Sequence, residues 1–394
     1  MSDYANRANW TLAEPDTPFA AVNLAKARRN IEHLEQRLDS LGVALRPHVK
    51  TAKSIPAAQL MQGGRPGPIT VSTMHEAEVF AEAGYRDITY AVGLDPHKLP
   101  RVIELARSGV TVNVLLDSLA QAQAVTAASV EAGCAIPALI ELDCDGHRGG
   151  IGADGHQGGV FGTELASQNN LAGVLVHAGE SYFADTPEAQ QAAAHHERDA
   201  AVAAARRLGD AGLLVGVVSV GSTPTAHAAT DLSGVTEVRA GNYVFFDLVM
   251  AGIGVCTLDD LALSVVVTVI GHKPEYGWIL TDGGWMALSR DRGTANQAQD
   301  QGYGLVTDLD GNLLEGLVVH SASQEHGVIA AREGAQLPDL PIGTRLRVLP
   351  NHACATAAQF PGYHVISDDE QAAEPTQGVT APVVGAFWDR TNGW

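Results

Sequence analysis

Only four of the 394 residues are cysteine, at positions 134, 144, 256 and 354, and no two of them form a CxxC pair. That spacing excludes a disulfide framework and points to a reducing compartment. Aromatic residues are scarce, at 5%, and Lys and Arg (25) are outnumbered by Asp and Glu (45), for a formal net charge of -20. A polyphosphate backbone or an anionic lipid surface repels such a chain, so neither nucleic acid nor membrane is expected as a partner. The acidity is spread along the sequence and reads as solubility rather than an acidic tail. No apolar run approaches the ~20 residues of a membrane span. The opening MSDYANRANW lacks the apolar stretch of a signal peptide, so a cytoplasmic location is expected. Internal repeats and low-complexity tracts are absent too.

What is present is a hydrophobic content of 45% and enough length for two domains, or one large barrel with an appendage. Short segments rich in Val, Ile and Leu recur near 43–47, 68–73, 87–93, 110–117, 137–143, 171–178, 213–220 and 235–239. Helical patterns separate them, as at 24–40, 75–84, 97–108, 118–132 and 187–211. Apolar strands alternating with helices imply a parallel sheet covered by helices, and eight of them imply a (β/α)8 barrel. After residue 255 the pattern changes. Segments 262–271, 277–282, 316–320 and 344–349 read as strands without long helices between them, with a turn signal at Asp310-Gly311-Asn312. The expected organisation is an α/β barrel over 20–255 and a β domain over 256–394 that the first 19 residues join. The tail after Cys354 is expected to wrap the surface.

Active sites of such barrels lie at the C-terminal ends of the strands. The first strand leads into Arg46-Pro47-His48-Val49-Lys50-Thr51. A lysine there is placed to hold a carbonyl cofactor as a Schiff base; the alternative is a solvated loop lysine. The second strand leads into Ser72, Thr73 and Glu76, the fifth into Asp143-Cys144-Asp145-Gly146-His147-Arg148, and the sixth into His177 and Tyr182. The seventh and eighth lead into Gly221-Ser222-Thr223 and Gly241-Asn242. Glycines let backbone N–H groups approach a phosphate, and small hydroxyls add donors. A phosphate on one side and a lysine on the other is the layout pyridoxal phosphate needs. Arg148 suits the cofactor's phenolate oxygen or a substrate carboxylate, or else a surface ion pair. His177 suits the cofactor ring, or else a hydrogen-bonded core position. In Pro350-Asn351-His352-Ala353-Cys354 an imidazole and a thiol stand two apart, on a segment read as extended, which would point them the same way. Nitrogen with sulfur is a zinc donor set, and two protein ligands leave positions open for water or substrate. Glu325 and His326 are candidates to orient such a metal or its water.

The motifs RPHVKT, DGHRGG, HAGESY, VGSTPT, RAGNYVFFD, DGGWMALSRDRGT, SQEHG and PNHACAT keep an order that resembles the D-serine dehydratase and D-threonine aldolase family nearly end to end. The resemblance implies an alanine-racemase-like fold, pyridoxal phosphate bound through Lys50 rather than the neighbouring Lys53, and a divalent metal, zinc, on His352 and Cys354. It implies contacts to the cofactor ring or substrate from Arg148, His177 and Tyr182, and a phosphate site of Ser222, Thr223, Gly241 and Asn242. D-threonine aldolases usually carry an aspartate where this chain has Cys354, which favours a dehydratase and a softer metal. The implied reaction is β-elimination from a small D-configured β-hydroxy amino acid. D-serine would give pyruvate and ammonia; a 3-hydroxyaspartate would give oxaloacetate and ammonia, with Arg290 or Arg292 for its extra carboxylate. A homodimer is expected by the same resemblance. An aldolase releasing glycine and an aldehyde, a racemase, and a non-catalytic cofactor carrier are the rival readings.

Overall fold

A computed structural model describes residues 11–146, 148–153, 155–367 and 381–394. His147, in the loop singled out above, lies outside the described residues. The chain divides into two compact units: Glu32–Tyr243 with Gly393–Trp394, and the residues up to Ile31 with Val244–Asn392. Among the described residues no helix is long and apolar enough to cross a membrane.

The first unit holds eight parallel strands: β1 (Ala44–Pro47), β2 (Ile69–Val71), β3 (Asp87–Gly93), β4 (Thr111–Leu116), β5 (Ala138–Asp143), β6 (Leu171–Val176), β7 (Val217–Val220) and β8 (Glu237–Ala240). They pair in the order β1-β8-β7-β6-β5-β4-β3-β2. A parallel bridge between His48 and Thr70 nearly closes the barrel. The eight strands are those expected, with the spans of β2 and β7 most shortened. Residues 213–216 are a connection, where Leu214 is exposed. Helices follow from local signals. Thr73 caps Met74–Glu82 and Ser118 caps Leu119–Ala132, each hydroxyl accepting from a first-turn N–H. Gly133 ends the latter helix at φ +67. Thr186 caps the longest helix, Pro187–Asp210, with proline in its first turn.

Leu115, Leu139 and Leu175, from three neighbouring strands, form an apolar cluster with Ala172 and Val217. Other strand positions carry buried charge. Buried Arg46 bonds Glu237 at 2.7 Å and Asp87 at 2.9 and 3.2 Å. Ser219 donates to Glu237 at 2.7 Å and accepts from Arg239 at 2.8 Å. Buried charges persist only when paired in this way.

The second unit is an antiparallel barrel. Trp278–Thr281, Gly327–Ala331, Leu313–Ala322, Leu305–Thr307, Arg345–Leu349 and Leu263–Lys273 pair in that order, and the last pairs back to the first. Phe19–Asn23 adds to Leu263–Lys273, so residues up to Ile31, like those from Val244, fall in this unit. The tail differs from its expected path over the surface. Gly362–Ile366 pairs parallel to Phe19–Asn23, and Val384–Asp389 pairs with Gly362–Ile366. Gly-Tyr-His-Val-Ile carries no alternation, because all five residues are buried on both faces of the strand. Leu12, Phe19, Val266, Leu309 and Ile366 share one core cluster.

Candidate active site

At the C-terminal mouth of the parallel barrel the ends of β1, β2 and β8 are tied together. The His48 N–H donates to Ala240 O at 2.8 Å and the Val49 N–H to Thr70 O at 2.9 Å. These bonds seat the segment that carries Lys50, whose N–H faces His48 Nδ1 at 3.4 Å. Burial, and then the nearby Lys50 cation, hold the His48 imidazole well below its usual range. The same two causes push His177 down to about 3. Lys50, His48 and His177 therefore share one electrostatic site. Arg148, half exposed, stands 3.9 Å from Glu141 and also acts on His177. The Tyr182 ring lies 6.3 Å from that of His177. Lys53 is occupied elsewhere: its Nζ pairs with the fully buried Glu76 at 2.7 Å, and Ser72 Oγ donates to the same carboxylate at 2.6 Å. Lys53 itself sits at φ +46.

The turns after β7 and β8 need their glycines. Gly221 has φ +136, and a Cβ there would overlap the Arg239 carbonyl oxygen. A Cβ on Gly241 would stand 2.8 Å from His48 O. Ser222 and Thr223 differ. The Ser222 hydroxyl is shared with Ser181 at 2.8 Å and Thr225 at 2.9 Å, and it caps the helix Thr223–Ala228. The Thr223 hydroxyl is buried with no hydrogen-bond partner among the described residues. An orphaned buried hydroxyl costs about 1–3 kcal/mol, and an anion seated beside Gly221 and Gly241 would relieve it. The mouth thus fits the phosphate and carbonyl of pyridoxal phosphate, with Thr223 the better placed hydroxyl and Ser222 committed to the turn.

His352 and Cys354 belong to the second unit. The segment is not extended, as the sequence suggested: His352 is the N-cap of a short helix, Ala353–Ala357, and Cys354 lies in its first turn. Backbone bonding in place of strand alternation brings the two side chains together. Fully buried Asp247 accepts from the Met250 N–H at 3.0 Å and from the Ala353 N–H at 2.8 Å, capping two helices with one carboxylate. Asn351 accepts from the Thr294 N–H and hydroxyl and donates to Gly302 O at 2.7 Å. The carboxylate that orients His352 is Asp291, with Oδ2 2.6 Å from Nδ1, rather than Glu325. Burial lowers the His352 pKa, but the Cys354 sulfur and the Asp291 bond outweigh it and lift it to about 11. The surroundings therefore favour a positive charge on this donor pair. Imidazole, thiol and an orienting carboxylate are what a divalent, sulfur-tolerant metal requires. Among the described residues no group of three or more His, Cys, Asp and Glu side chains is arranged to hold a metal ion by itself.

Asp291 and Asp247 stand in DGGWMALSRDRGT and RAGNYVFFD, but neither motif by itself marks them as functional. The arginines flanking Asp291 have other partners: Arg292 pairs with Asp300, and Arg290 lies over the Trp285 ring at 5.3 Å. Partnership with a residue 61 positions away has no sequence signal.

Two family models match the chain: the alanine racemase N-terminal domain over residues 22–249 and the serine dehydratase domain over 262–366. The D-threo-3-hydroxyaspartate dehydratase of Delftia sp. (strain HT23) is 51% identical over 98% of this chain and 99% of its own length. A solved structure of a D-threo-3-hydroxyaspartate dehydratase, a cysteine-to-alanine mutant in the metal-free form, matches with TM-score 0.91 over 98% of this chain and 100% of that one, at 51% identity. The D-threonine aldolase of Arthrobacter sp. is 29% identical over 91% of this chain and 90% of its own.

Proposed function

The chain belongs to the D-serine dehydratase and D-threonine aldolase family of alanine-racemase-like fold, and on that premise we propose a pyridoxal-phosphate- and zinc-dependent dehydratase that converts a D-configured β-hydroxy amino acid to a 2-oxo acid and ammonia. Membership makes it a lyase. The observation that carries the dehydratase reading is 51% identity, over nearly the whole of both chains, to a D-threo-3-hydroxyaspartate dehydratase. A 3-hydroxyaspartate is accordingly the first substrate to test, with oxaloacetate as its product, and D-serine the second, giving pyruvate.

When bound, pyridoxal phosphate supplies an electron sink at Cα, and the divalent metal supplies Lewis acidity for the departing hydroxide. Lys50 would anchor the cofactor, and its Nζ would serve as the base for the substrate's α-proton. Lys53 is unsuited, because its ammonium is bound to Glu76 in the folded protein. Gly221, Thr223, Gly241 and Asn242 would hold the phosphate, and Arg148, His177 and Tyr182 would flank the ring or substrate. His177 Nδ1 lies 3.0 Å from Gly221 O, which can only accept, so Nδ1 carries the proton and the neutral imidazole keeps its lone pair on Nε2. His352 and Cys354 would ligate the metal, with Asp291 fixing the imidazole. The β-hydroxyl leaves as water, and the released enamine tautomerises to an imine and takes up water to free ammonia.

The test is product identification from D-serine, D-threonine and both D-3-hydroxyaspartate diastereomers, with zinc present and after chelation. Ammonia with a 2-oxo acid, lost on chelation and restored by zinc, is the expected result. Glycine with an aldehyde or glyoxylate would instead establish the aldolase. Turnover indifferent to chelation would remove the metal from the reaction.

A further inference from the structure

A fully formed polar clasp sits behind the mouth of the parallel barrel, on a residue that the proposed reaction does not use. Glu197, in the helix Pro187–Asp210, is buried at 2% exposure. Its Oε1 accepts two backbone N–H groups, from Ala178 at 2.9 Å and from Gly221 at 3.0 Å, and its carboxyl also hydrogen-bonds the Thr225 hydroxyl. Ala178 immediately follows His177 beyond β6, and Gly221 immediately follows β7. One carboxylate oxygen therefore fastens two adjacent strand ends.

The second half of the clasp runs the other way. His177 Nδ1 bonds the carbonyl of the same Gly221, at 3.0 Å. Gly221 is thus gripped at both ends of its backbone: its N–H by Glu197 and its C=O by His177. Its φ of +136 and the exclusion of a Cβ by Arg239 show that this conformation is not one the chain would hold unaided by glycine. If the Gly221 N–H loses its partner, the turn can rotate, and the carbonyl that fixes the His177 tautomer moves with it. The adjoining Ser222 and Thr223 move as well.

We propose that Glu197 is a positioning residue for the cofactor-binding mouth: by holding the Ala178 and Gly221 N–H groups on one oxygen it locks His177 in the Nδ1–H tautomer and sets the turn that presents Thr223. The proposal concerns hydrogen bonding by Oε1, not catalysis, and it rests on the reading of the mouth as a pyridoxal phosphate site. Glu197→Gln keeps an acceptor oxygen of the same reach. Glu197→Met keeps the volume and removes the acceptor. Glu197→Asp keeps the carboxylate but falls short by one methylene.

Two measurements test it. Nitrogen NMR of histidine-labelled apoprotein, with His177→Gln to assign the signal, reads the tautomer; titration with pyridoxal phosphate reads the dissociation constant. Wild type and Glu197→Gln are expected to show Nδ1–H, with cofactor affinities within about threefold of one another. Glu197→Met is expected to show mixed tautomers and at least about tenfold weaker cofactor binding, the equivalent of about 1.4 kcal/mol. Glu197→Asp is expected to follow Glu197→Met, and it takes that variant's place if the methionine protein does not fold. An unchanged tautomer and affinity in Glu197→Met and Glu197→Asp would overturn the proposal. So would a loss in Glu197→Gln as large as in Glu197→Met, which would assign the effect to charge. Failure of the wild type to bind pyridoxal phosphate would refute the cofactor reading instead, and the tautomer measurement would still judge Glu197.

Discussion

Replacing Asp247 by asparagine is expected to weaken the fold and metal retention together. Oδ1 holds the Met250 N–H and Oδ2 holds the Ala353 N–H, at 3.0 and 2.8 Å, and the residue is fully buried. Asparagine offers one acceptor oxygen, and its amide group would point N–H at N–H on the other side. One buried backbone donor is then orphaned, at a cost of about 1–3 kcal/mol. Alanine orphans both, at about 2–6 kcal/mol. The orphan on one side is Ala353, which lies between His352 and Cys354. Freeing it releases the helix start that sets the separation of nitrogen and sulfur. Urea unfolding with excess zinc and with chelator gives the two stabilities, and the zinc retained after dialysis against graded chelator gives the affinity. Metal bound only by the native state stabilises by RT ln(1 + [L]/Kd), so a weakened site shrinks the gap between the two unfolding curves. Asp247→Asn should lower the zinc-free stability by about 1–3 kcal/mol and narrow that gap. A variant that loses stability while retaining zinc like the wild type would show that Asp247 is a cap and nothing more. Unchanged stability would refute the bonding argument itself.

The two neighbouring lysines should separate cleanly. Lys50→Met is expected to abolish the yellow absorption of lysine-linked cofactor. Lys53→Met is expected to keep it but to cost about 3 kcal/mol in urea unfolding, because the buried Glu76 carboxylate loses its cation. Arg292 is held by Asp300 whereas Arg290 rests on Trp285 beside Asp291, so Arg290→Ala should raise KM for 3-hydroxyaspartate about 10- to 100-fold and leave that for D-serine within about threefold, as a charged hydrogen bond of about 1.5–3 kcal/mol predicts; equal effects on both substrates would remove it from carboxylate recognition. His177, depressed to about 3, gives a pH prediction for the apoprotein. Between the unfolded value near ~6.5 and the folded value, the unfolded chain binds a proton that the native one does not, so stability falls as pH drops, by up to about 1.4 kcal/mol per pH unit for this residue. His177→Gln should flatten the pH 5 to 6.5 stretch of the unfolding free energy by that amount, and an unaltered slope would contradict its neutral burial.

Periodicity and local chemistry made much of the molecule legible in one dimension. Eight apolar runs between helical stretches determined the parallel barrel, because a strand covered on its outer face and a helix with one apolar stripe each announce themselves within a few residues. The strand-end position of Lys50 and the glycines at 221 and 241 were legible for the same reason: backbone that must turn sharply at a strand end selects glycine locally. Short or interrupted strands were not legible. Leu305–Thr307, Gly327–Ala331, Gly362–Ile366 and Val384–Asp389 owe their existence to partners distant in the chain. Side-chain commitments were decided by the tertiary structure alone. It bound Ser222 into a helix cap while leaving Thr223 open, gave Lys53 to Glu76, set Asp291 against His352 and buried Glu197 behind Gly221. The last three are contacts across many residues in sequence, fixed by which chain segments fold against one another, and residue type constrains such a partner's chemistry without naming its position.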